Sequence, residues 1–244
     1  YNNEGQPSTS KPTFSDTSPE DEYYRTDDGY QWKYMFTVDN TTFNKFSTIE
    51  YMPIVNNTDV SANAVDGSID VITVASGGAG YDNYLSGQFS NSDIKVNANN
   101  LSYAVSSNGS STNGFYNDCY LYITGGNAGV GQYKRIVAYI NEGLEKRVII
   151  DSPFEINLDN TSKYEISPIV RITSDGNQTV NCFARALINA ASSNSVYGVE
   201  IINRGAGYRI ATADVMYSNV VPVSNTSTLK VIIGPKGGHG SDPV

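Results

Sequence analysis

Two stretches of the chain decide its fold: ITVASGGAGY at residues 72–81 and VEIINRGAGY at residues 199–208. Each places a run rich in β-branched residues before the same Gly-Ala-Gly-Tyr sequence, and another extended stretch follows, ending near Phe89 or Met216. Glycines supply positive φ or close backbone approach at such turns, and the tyrosine packs over them. The pattern predicts a hairpin that occurs twice. The predicted turn residues are Gly78, Gly80, Tyr81, Gly205, Gly207 and Tyr208.

Between and beyond the repeats, short apolar runs predict further strands. Residues 119–140 read as strand, Gly-rich turn and strand, and residues 182–190 are a strand or a helix, with strand favoured by pairing with 199–208. The remaining predicted strands are 146–154, 164–173 and 229–234. No stretch shows a convincing apolar stripe of a dozen helical residues. The predicted class is all-β or nearly so, with short antiparallel strands, Gly-rich turns and sandwich-like or barrel-like modules.

The N-terminal part begins with a polar, proline-containing segment. YQWKYMFTV at 30–38 then alternates, which predicts a strand whose buried face carries Tyr30, Trp32, Tyr34 and Phe36. Residues 41–50 are a short helix or an irregular loop. The predicted division is an extended polar arm (1–29), a β domain built from the two repeats (30–90 and 166–234), an inserted β module (91–165) and a C-terminal loop (235–244).

Composition and charge narrow the possible partners. The net charge is −9 and the pI about 4.5, so nucleic acid, which requires a basic surface, is excluded as a partner. The basic pairs Lys134–Arg135 and Lys146–Arg147 read as solvated strand edges. No apolar run approaches the length of a membrane span. Because the sequence starts without Met and ends in GPKGGHGSDPV, we expect a fragment of a longer chain.

The residues that carry chemistry are few. His239 is the only histidine and lies at a Gly-rich bend, which disfavours a Ser-His pair or a histidine metal cluster. The Gly-rich stretch 125–134 lacks the Lys-Ser/Thr of a phosphate loop and reads as a hairpin loop. We therefore predict no enzyme, no catalytic residue, no cofactor and no metal, with calcium at Glu20–Asp21–Glu22 or Asp27–Asp28 as a minor alternative. Cys119 and Cys182 are predicted to be buried free thiols rather than a disulfide.

The segment TDDGYQWKYMFTV…FNKFSTIEYMPIV (26–55) resembles the baseplate wedge subunit of T-even-type contractile-tailed phages. The residues that carry the resemblance are Asp28, Gly29, Tyr30, Trp32 and Tyr34, followed by a Glu-Tyr and a proline. The GxGY repeats and the GPKGGHGSDPV tail are similar to longer versions of this subunit in marine and cyanobacterial phages. NGFYNDCYLYITGGNAGVGQYKRIVAYI…VIIDSPF resembles a β module of many phage structural proteins.

The resemblance implies a non-enzymatic virion protein, assembled in the host cytoplasm, that links neighbouring baseplate wedge proteins, with a homodimer as one assembly that the resemblance allows. Two other hypotheses stay open: a carbohydrate-binding β domain of a tail fibre or secreted protein, and a glycan hydrolase. A structural subunit predicts apolar patches that neighbours cover. A carbohydrate-binding domain predicts an exposed aromatic shelf beside Asn and Asp, and a hydrolase predicts a cleft with two carboxylates.

Overall fold

The computed structural model describes residues 7–13, 24–28, 30–90, 101–217, 220 and 223–241. Within these ranges the chain forms thirteen strands and two short helices, so the all-β prediction is confirmed. The strands are β1 (Tyr24–Arg25), β2 (Gln31–Trp32), β3 (Ile69–Ser76), β4 (Leu85–Gln88), β5 (Ser102–Val105), β6 (Cys119–Gly125), β7 (Tyr133–Glu142), β8 (Glu145–Ile150), β9 (Lys163–Ser174), β10 (Phe183–Asn189), β11 (Ser195–Asn203), β12 (Ala211–Val215) and β13 (Thr228–Ile233). The helices are α1 (Asn40–Phe46) and α2 (Thr58–Ala62).

The main sheet is organised around β9. Its first half pairs with β4 and β6 and its second half with β10 and β12, always antiparallel. The resulting nine-stranded sheet runs β11-β10-β9-β6-β7-β8-β5, with β4 and β12 as further partners of β9. Residues 166–170 of β9 are all buried. Since successive side chains of a strand point to opposite faces, β9 is covered on both faces there.

Two hydrophobic clusters meet at β9. The first is formed by β4 to β8 and the start of β9, which contributes Tyr164 and Ile166. The second is formed mainly by β3 and β10 to β12, and β9 contributes Val170 to it. Leu85 and Phe89 pack in the first cluster, although the division at residue 90 placed them with the repeats. One long strand therefore joins both cores.

The prediction of two repeated hairpins is wrong in its pairing. The strands on either side of each Gly-Ala-Gly-Tyr turn do not pair with each other: β3 pairs with β13 and β4 with β9, while β11 pairs with β10 and β12 with β9. The backbone N–H groups of the turns bind remote loops instead of a facing strand. Each turn is therefore a corner that redirects the chain from one strand pair to β9.

The N-terminal strand is much shorter than predicted. Of residues 30–38 only Gln31–Trp32 form a strand, paired with β1, and Trp32, Tyr34 and Phe36 are half-buried rather than part of a core. Residues 33–39 form no strand. Their alternating sequence therefore does not pair with any strand of the described chain. β1 lies within the predicted extended arm (1–29) and pairs with β2. Within 41–50 the helix alternative holds, and α2 was not predicted.

Three other predictions concern single elements. Residues 182–190 contain β10, and the Gly-rich stretch 125–134 joins the antiparallel pair β6–β7, as predicted. Cys119 and Cys182 are free and buried, which confirms that prediction. Burial raises the pKa of both thiols, that of Cys182 to about 12.

Lys146 is not the solvated residue that its position in a basic pair predicted. β8 lies between β5 and β7, so it is not an edge strand. Lys146 is only 8% exposed, and its Nζ donates to the carbonyl oxygen of Ser110 at 3.2 Å. A long aliphatic stem can be buried in this way when the ammonium reaches an acceptor. Arg135 does remain exposed, paired with Asp118.

The C-terminal loop folds back onto the segment before β3. Gly237 N–H donates to Asp66 Oδ1 at 2.7 Å, and both oxygens of Asp66 accept hydrogen bonds from Arg209 at 2.9 and 2.5 Å. His239 Nε2 lies 2.6 Å from Oδ2 of the buried Asp70. The only histidine thus contacts a buried carboxylate at the predicted bend. Asp66 joins the C-terminal loop to Arg209, which lies just before β12.

The Asp66 contacts predict an acid-dependent coupling. The hydrogen bond from Arg209, followed by that from Gly237, lowers the pKa of Asp66 to about 2. Because the pKa is lowered in the folded state, ionised Asp66 stabilises the fold fully above its ordinary pKa near 3.8. This contribution to the free energy of unfolding is lost as the pH falls through 2. In a double-mutant cycle of Asp66→Asn and Arg209→Gln, urea unfolding should show a coupling at pH 6 that falls to a small fraction of that value at pH 2. A coupling of equal size at both pH values would contradict this assignment.

Candidate functional site

The residues that the two Gly-Ala-Gly-Tyr turns share have their contacts inside the fold. Tyr81 and Tyr208 are buried, and each hydroxyl accepts a backbone N–H at 2.8 Å, from Ser227 and Cys182 respectively. The turn glycines all have positive φ, between 63° and 87°. They are Gly78, Gly80, Gly205 and Gly207. These residues shape and tie the backbone, which is a structural role.

Each turn also binds the loop that precedes the strand of the other repeat, and we call this arrangement the reciprocal clasp. The four donors are the backbone N–H groups of Gly80, Tyr81, Gly207 and Tyr208. Their acceptors, in the same order, are the carbonyl oxygens of Ser193, Asn194, Asp66 and Gly67, at 2.9 to 3.0 Å. The repeats therefore support one another through equivalent hydrogen bonds.

The two repeats make equivalent contacts, but the segments that make them follow one another in a different order along the chain. Ala79 forms an isolated bridge with Asn225, just before β13, and Ala206 forms one with Val180, just before β10. β10 precedes its partner β11 directly, whereas β13 is more than a hundred residues beyond β3. The C-terminal strand thus completes the N-terminal repeat.

Three of the residues that carry the phage resemblance, Asp28, Tyr30 and Trp32, lie in a local cluster around Thr26. Asp28 accepts hydrogen bonds that lower its pKa well below the usual range, chiefly from the hydroxyls of Ser8 and Thr26 at 2.6 and 2.5 Å. Trp32 Nε1 donates to Thr26 Oγ1 at 3.2 Å, and the Trp32 ring lies 6.0 Å from Tyr30. The Tyr34 hydroxyl is 2.7 Å from that of Thr37. Gly29 lies outside the described residues, as do Glu20, Asp21 and Glu22.

Beyond this cluster, a stretch of twelve residues exposes large apolar side chains, and we call residues 43–54 the apolar arm. Six of its side chains are at least half exposed, and Ile49 is fully exposed. They are Phe43, Phe46, Ile49, Tyr51, Met52 and Ile54. Other exposed apolar residues are scattered along the described chain, which is ordinary for a protein surface. Only the arm concentrates them.

The apolar arm begins in α1, a helix that has no buried residue. Its N-cap Asp39 accepts hydrogen bonds from the N–H groups of Thr41 and Thr42 at 2.9 Å. The hydrogen bonds from Thr42 lower the pKa of Asp39. A seven-residue helix is marginal in water on capping alone, since most helical stability comes from packing. The arm therefore has the composition of a packed element without the packing.

Both flanks of the apolar arm are tied to the C-terminal loop. At Gly240, a Cβ atom would meet Val60 of α2 and would lie 3.5 Å from Cε of Met35. Ser61 Oγ also donates to the carbonyl oxygen of Ser241 at 3.2 Å. The arm is thus presented by a β body that fixes the chain before and after it.

A second surface feature is an open groove of about 760 Å³ beside the middle of β9, the strand that joins both cores. Its walls come from the β6–β7 hairpin, the loop after β8, the middle of β9 and the start of β10. The lining combines the rings of Tyr133 and Phe183 with the polar side chains of Lys134, Asp151, Glu155 and Asn181. We call this feature the aromatic groove.

Within the described residues, no three His, Cys, Asp or Glu side chains come together as possible metal ligands. The aromatic groove does contain two carboxylates, those of Asp151 and Glu155, on the exposed loop after β8. Neither helix of the described chain is long and apolar enough to cross a membrane.

Comparisons of this chain with protein-family models, curated proteins and solved structures found no match.

Sequence reasoning singled out the turn residues that donate in the reciprocal clasp, and Asp28, Tyr30 and Trp32 of the Thr26 cluster, but it missed the acceptors of the clasp and both surfaces. A signal for the apolar arm was present, because FNKFSTIEYMPI is apolar yet shows neither strand alternation nor a helical stripe. No local signal marks the aromatic groove, since Tyr133, Glu155 and Phe183 come from three separate parts of the chain. Each looks like an ordinary strand or loop residue in its own segment.

Proposed function

We propose that this chain is a structural subunit of a phage virion, a component of the baseplate wedge that holds neighbouring tail proteins together during assembly. The observation that carries the proposal is the apolar arm, whose large apolar side chains no described part of the chain covers. The arm lies within residues 26–55, the segment whose sequence resembles the wedge subunit. The proposal assigns no catalytic step and places the protein in the baseplate.

The energy available from burying the apolar arm would offset much of the cost of association. Burying one large apolar side chain contributes about 1.5–3 kcal/mol. Six such side chains, from half to fully exposed, therefore offer on the order of 10 kcal/mol. This is comparable with the roughly 4–15 kcal/mol that association costs in lost freedom. Additional contacts by the β body would supply the remaining affinity.

The charges around the arm favour a different subunit over a second copy of this chain. Asp39 and Asp59 flank the arm, Glu50 lies within it, and Lys45 is the single basic residue among residues 39–59. Two copies would bring acidic rims together, each on a chain of net charge −9. Like charges across an interface disfavour pairing. We therefore propose an occupant with an apolar groove bordered by lysines or arginines, on a neighbouring wedge protein.

Substitution of the arm should abolish incorporation of the protein into virions without unfolding it. We expect Phe46→Ser/Ile49→Ser/Met52→Ser to leave the melting temperature nearly unchanged, because these side chains are 63% to 105% exposed. The matched control is Val130→Ser/Leu144→Ser/Ile210→Ser, which removes three exposed apolar side chains outside the arm. Phage carrying each gene would be purified and their baseplates examined by quantitative mass spectrometry.

The proposal requires loss of the arm variant from baseplates and retention of the control. Gold-labelled antibody against the wild-type chain should also mark the baseplate in electron micrographs. Absence of the wild-type protein from virions would overturn the proposed function. Equal incorporation of both variants would show that the arm is not needed for assembly. If sedimentation shows a homodimer that requires the arm, its partner is a second copy of this chain and not a different wedge protein.

A further inference from the structure

We propose that the aromatic groove is a binding site for a neutral saccharide chain. This inference is independent of the wedge proposal, because it rests on a different surface. The groove has the volume of a ligand site and lies beside β9, the strand that joins the two cores. Its lining is half aromatic and aliphatic, half polar, which matches the two kinds of surface that a sugar ring presents.

The aromatic side of the groove is rigid and partly open to water. Tyr133 lies between Tyr120, with ring centroids 5.1 Å apart, and Phe183, with centroids 6.0 Å apart. Tyr120 and Tyr133 are on the paired strands β6 and β7, and Phe183 begins β10. Phe183 is 37% exposed although β10 is otherwise largely buried. A sugar ring stacked on these faces would cover apolar surface that the protein leaves in contact with water.

The polar side of the groove offers both donors and acceptors. Lys134 and the Asn181 amide can donate, whereas Glu155 and the Asn181 carbonyl can accept. None of these three side chains has a polar partner in the part of the chain that the structure describes. Hydroxyl groups both donate and accept, so a polyhydroxylated ligand can satisfy groups of both kinds.

The charges of the groove argue for a neutral ligand. The charged residues of the lining are Lys134, Arg135, Arg171, Asp151 and Glu155, but Arg135 is already paired with Asp118 and Arg171 with Asp214, which leaves Lys134 beside two carboxylates. The groove therefore has no excess of positive charge with which to attract phosphate, sulfate or nucleic acid. An acidic peptide gains nothing there either, because the two carboxylates beside Lys134 would repel it. A neutral saccharide is the ligand class that uses the aromatic faces and the mixed polar rim together.

The test is a panel of neutral oligosaccharides derived from mannan, galactan, dextran and β-glucan, measured first on a glycan array and then by saturation-transfer NMR at millimolar concentration. We expect at least one class to bind the wild-type chain. Phe183→Ala and Asn181→Ala should each weaken that binding about tenfold or more, as loss of a central contact does. Tyr197→Ala is the matched control, since Tyr197 is an exposed aromatic residue of β11 outside the groove, and it should bind like the wild type.

Folding of each variant would be checked by circular dichroism, and Asn181 is exposed, so its substitution leaves the core intact. Failure of every saccharide to bind the wild type at millimolar concentration would overturn the proposal. Binding that Phe183→Ala and Asn181→Ala leave unchanged would overturn it as well. An extended peptide that binds where no saccharide does would assign the groove to a peptide instead.

Discussion

Gly205→Ala should lower the free energy of unfolding by about 3 kcal/mol or more, the sum of left-handed backbone strain and overpacking. The φ angle of Gly205 is 65°, and a Cβ atom there would lie 2.6 Å from the carbonyl oxygen of Val180 and 2.7 Å from the N atom of Cys182. Those backbone atoms cannot retreat freely, because the Cys182 N–H donates to the Tyr208 hydroxyl. The substitution therefore strains one turn and also loosens the reciprocal clasp.

Gly143→Ala provides the matched control. Gly143 has a φ of 81°, so alanine suffers backbone strain there too, but no atom lies within 4 Å of the added Cβ. We expect a loss of about 1–2 kcal/mol from the left-handed conformation alone. Urea unfolding followed by circular dichroism would measure both variants. Equal losses would show that close backbone approach contributes nothing at Gly205, and a milder effect at Gly205 than at Gly143 would contradict the clasp.

Arg185→Met should be the second strongly destabilising change, with a loss of about 3 kcal/mol, as expected for breaking a buried ion pair. Arg185 is 5% exposed and forms ion pairs with Glu165 at 2.6 Å and Glu200 at 2.7 Å. Its guanidinium also lies 4.2 Å from the ring centroid of Tyr122. Burial acts to lower the pKa of Arg185, but the contacts with Glu165 and Glu200 outweigh it and raise the pKa. One side chain thus joins β6, β9, β10 and β11.

Two comparisons separate the effect of unpaired charge on stability from the effect of lost packing. Arg171→Met removes an exposed pair with Asp214, at 3.8 Å, and should cost less than about 1 kcal/mol. Arg185→Met/Glu165→Gln/Glu200→Gln should regain much of the stability lost by Arg185→Met, because no unpaired carboxylate is left. Chemical denaturation of all three variants measures these differences. If the triple variant is no more stable than Arg185→Met, the destabilisation comes from packing and not from unpaired charge.

Short-range patterns predicted several elements of the fold correctly. The predictions that failed concerned pairing between segments that are distant in the sequence. The β6–β7 hairpin has both strands and its turn within one stretch, 119–140, and its pairing was predicted correctly. The Gly-Ala-Gly-Tyr turns were recognised, but the bonds of Tyr81 and Tyr208 go to Asn194 and Gly67, more than a hundred residues away. A turn motif carries no information about acceptors so distant, so the hairpin was the nearest available interpretation.

The surfaces show the same limit. YQWKYMFTV and FNKFSTIEYMPI are both rich in aromatic and aliphatic residues, and both read as candidates for burial. In the structure the first is half-buried and the second exposed, because neither has a sheet to pack against. Whether an apolar side chain is covered depends on what the rest of the chain places over it. A pattern in the sequence cannot supply that neighbour.

The sequence alone determined the strand-rich class, the need for glycine at the turns and the buried state of both cysteines. These follow from local backbone geometry, from the period of two and from side-chain hydrophobicity, all of which are encoded within a few residues. Only the tertiary structure decided that the repeats clasp each other, that β9 joins two cores, that the apolar arm is uncovered and that separate loops form the aromatic groove. Each of these is a relation between distant segments, and it exists only after the chain has folded.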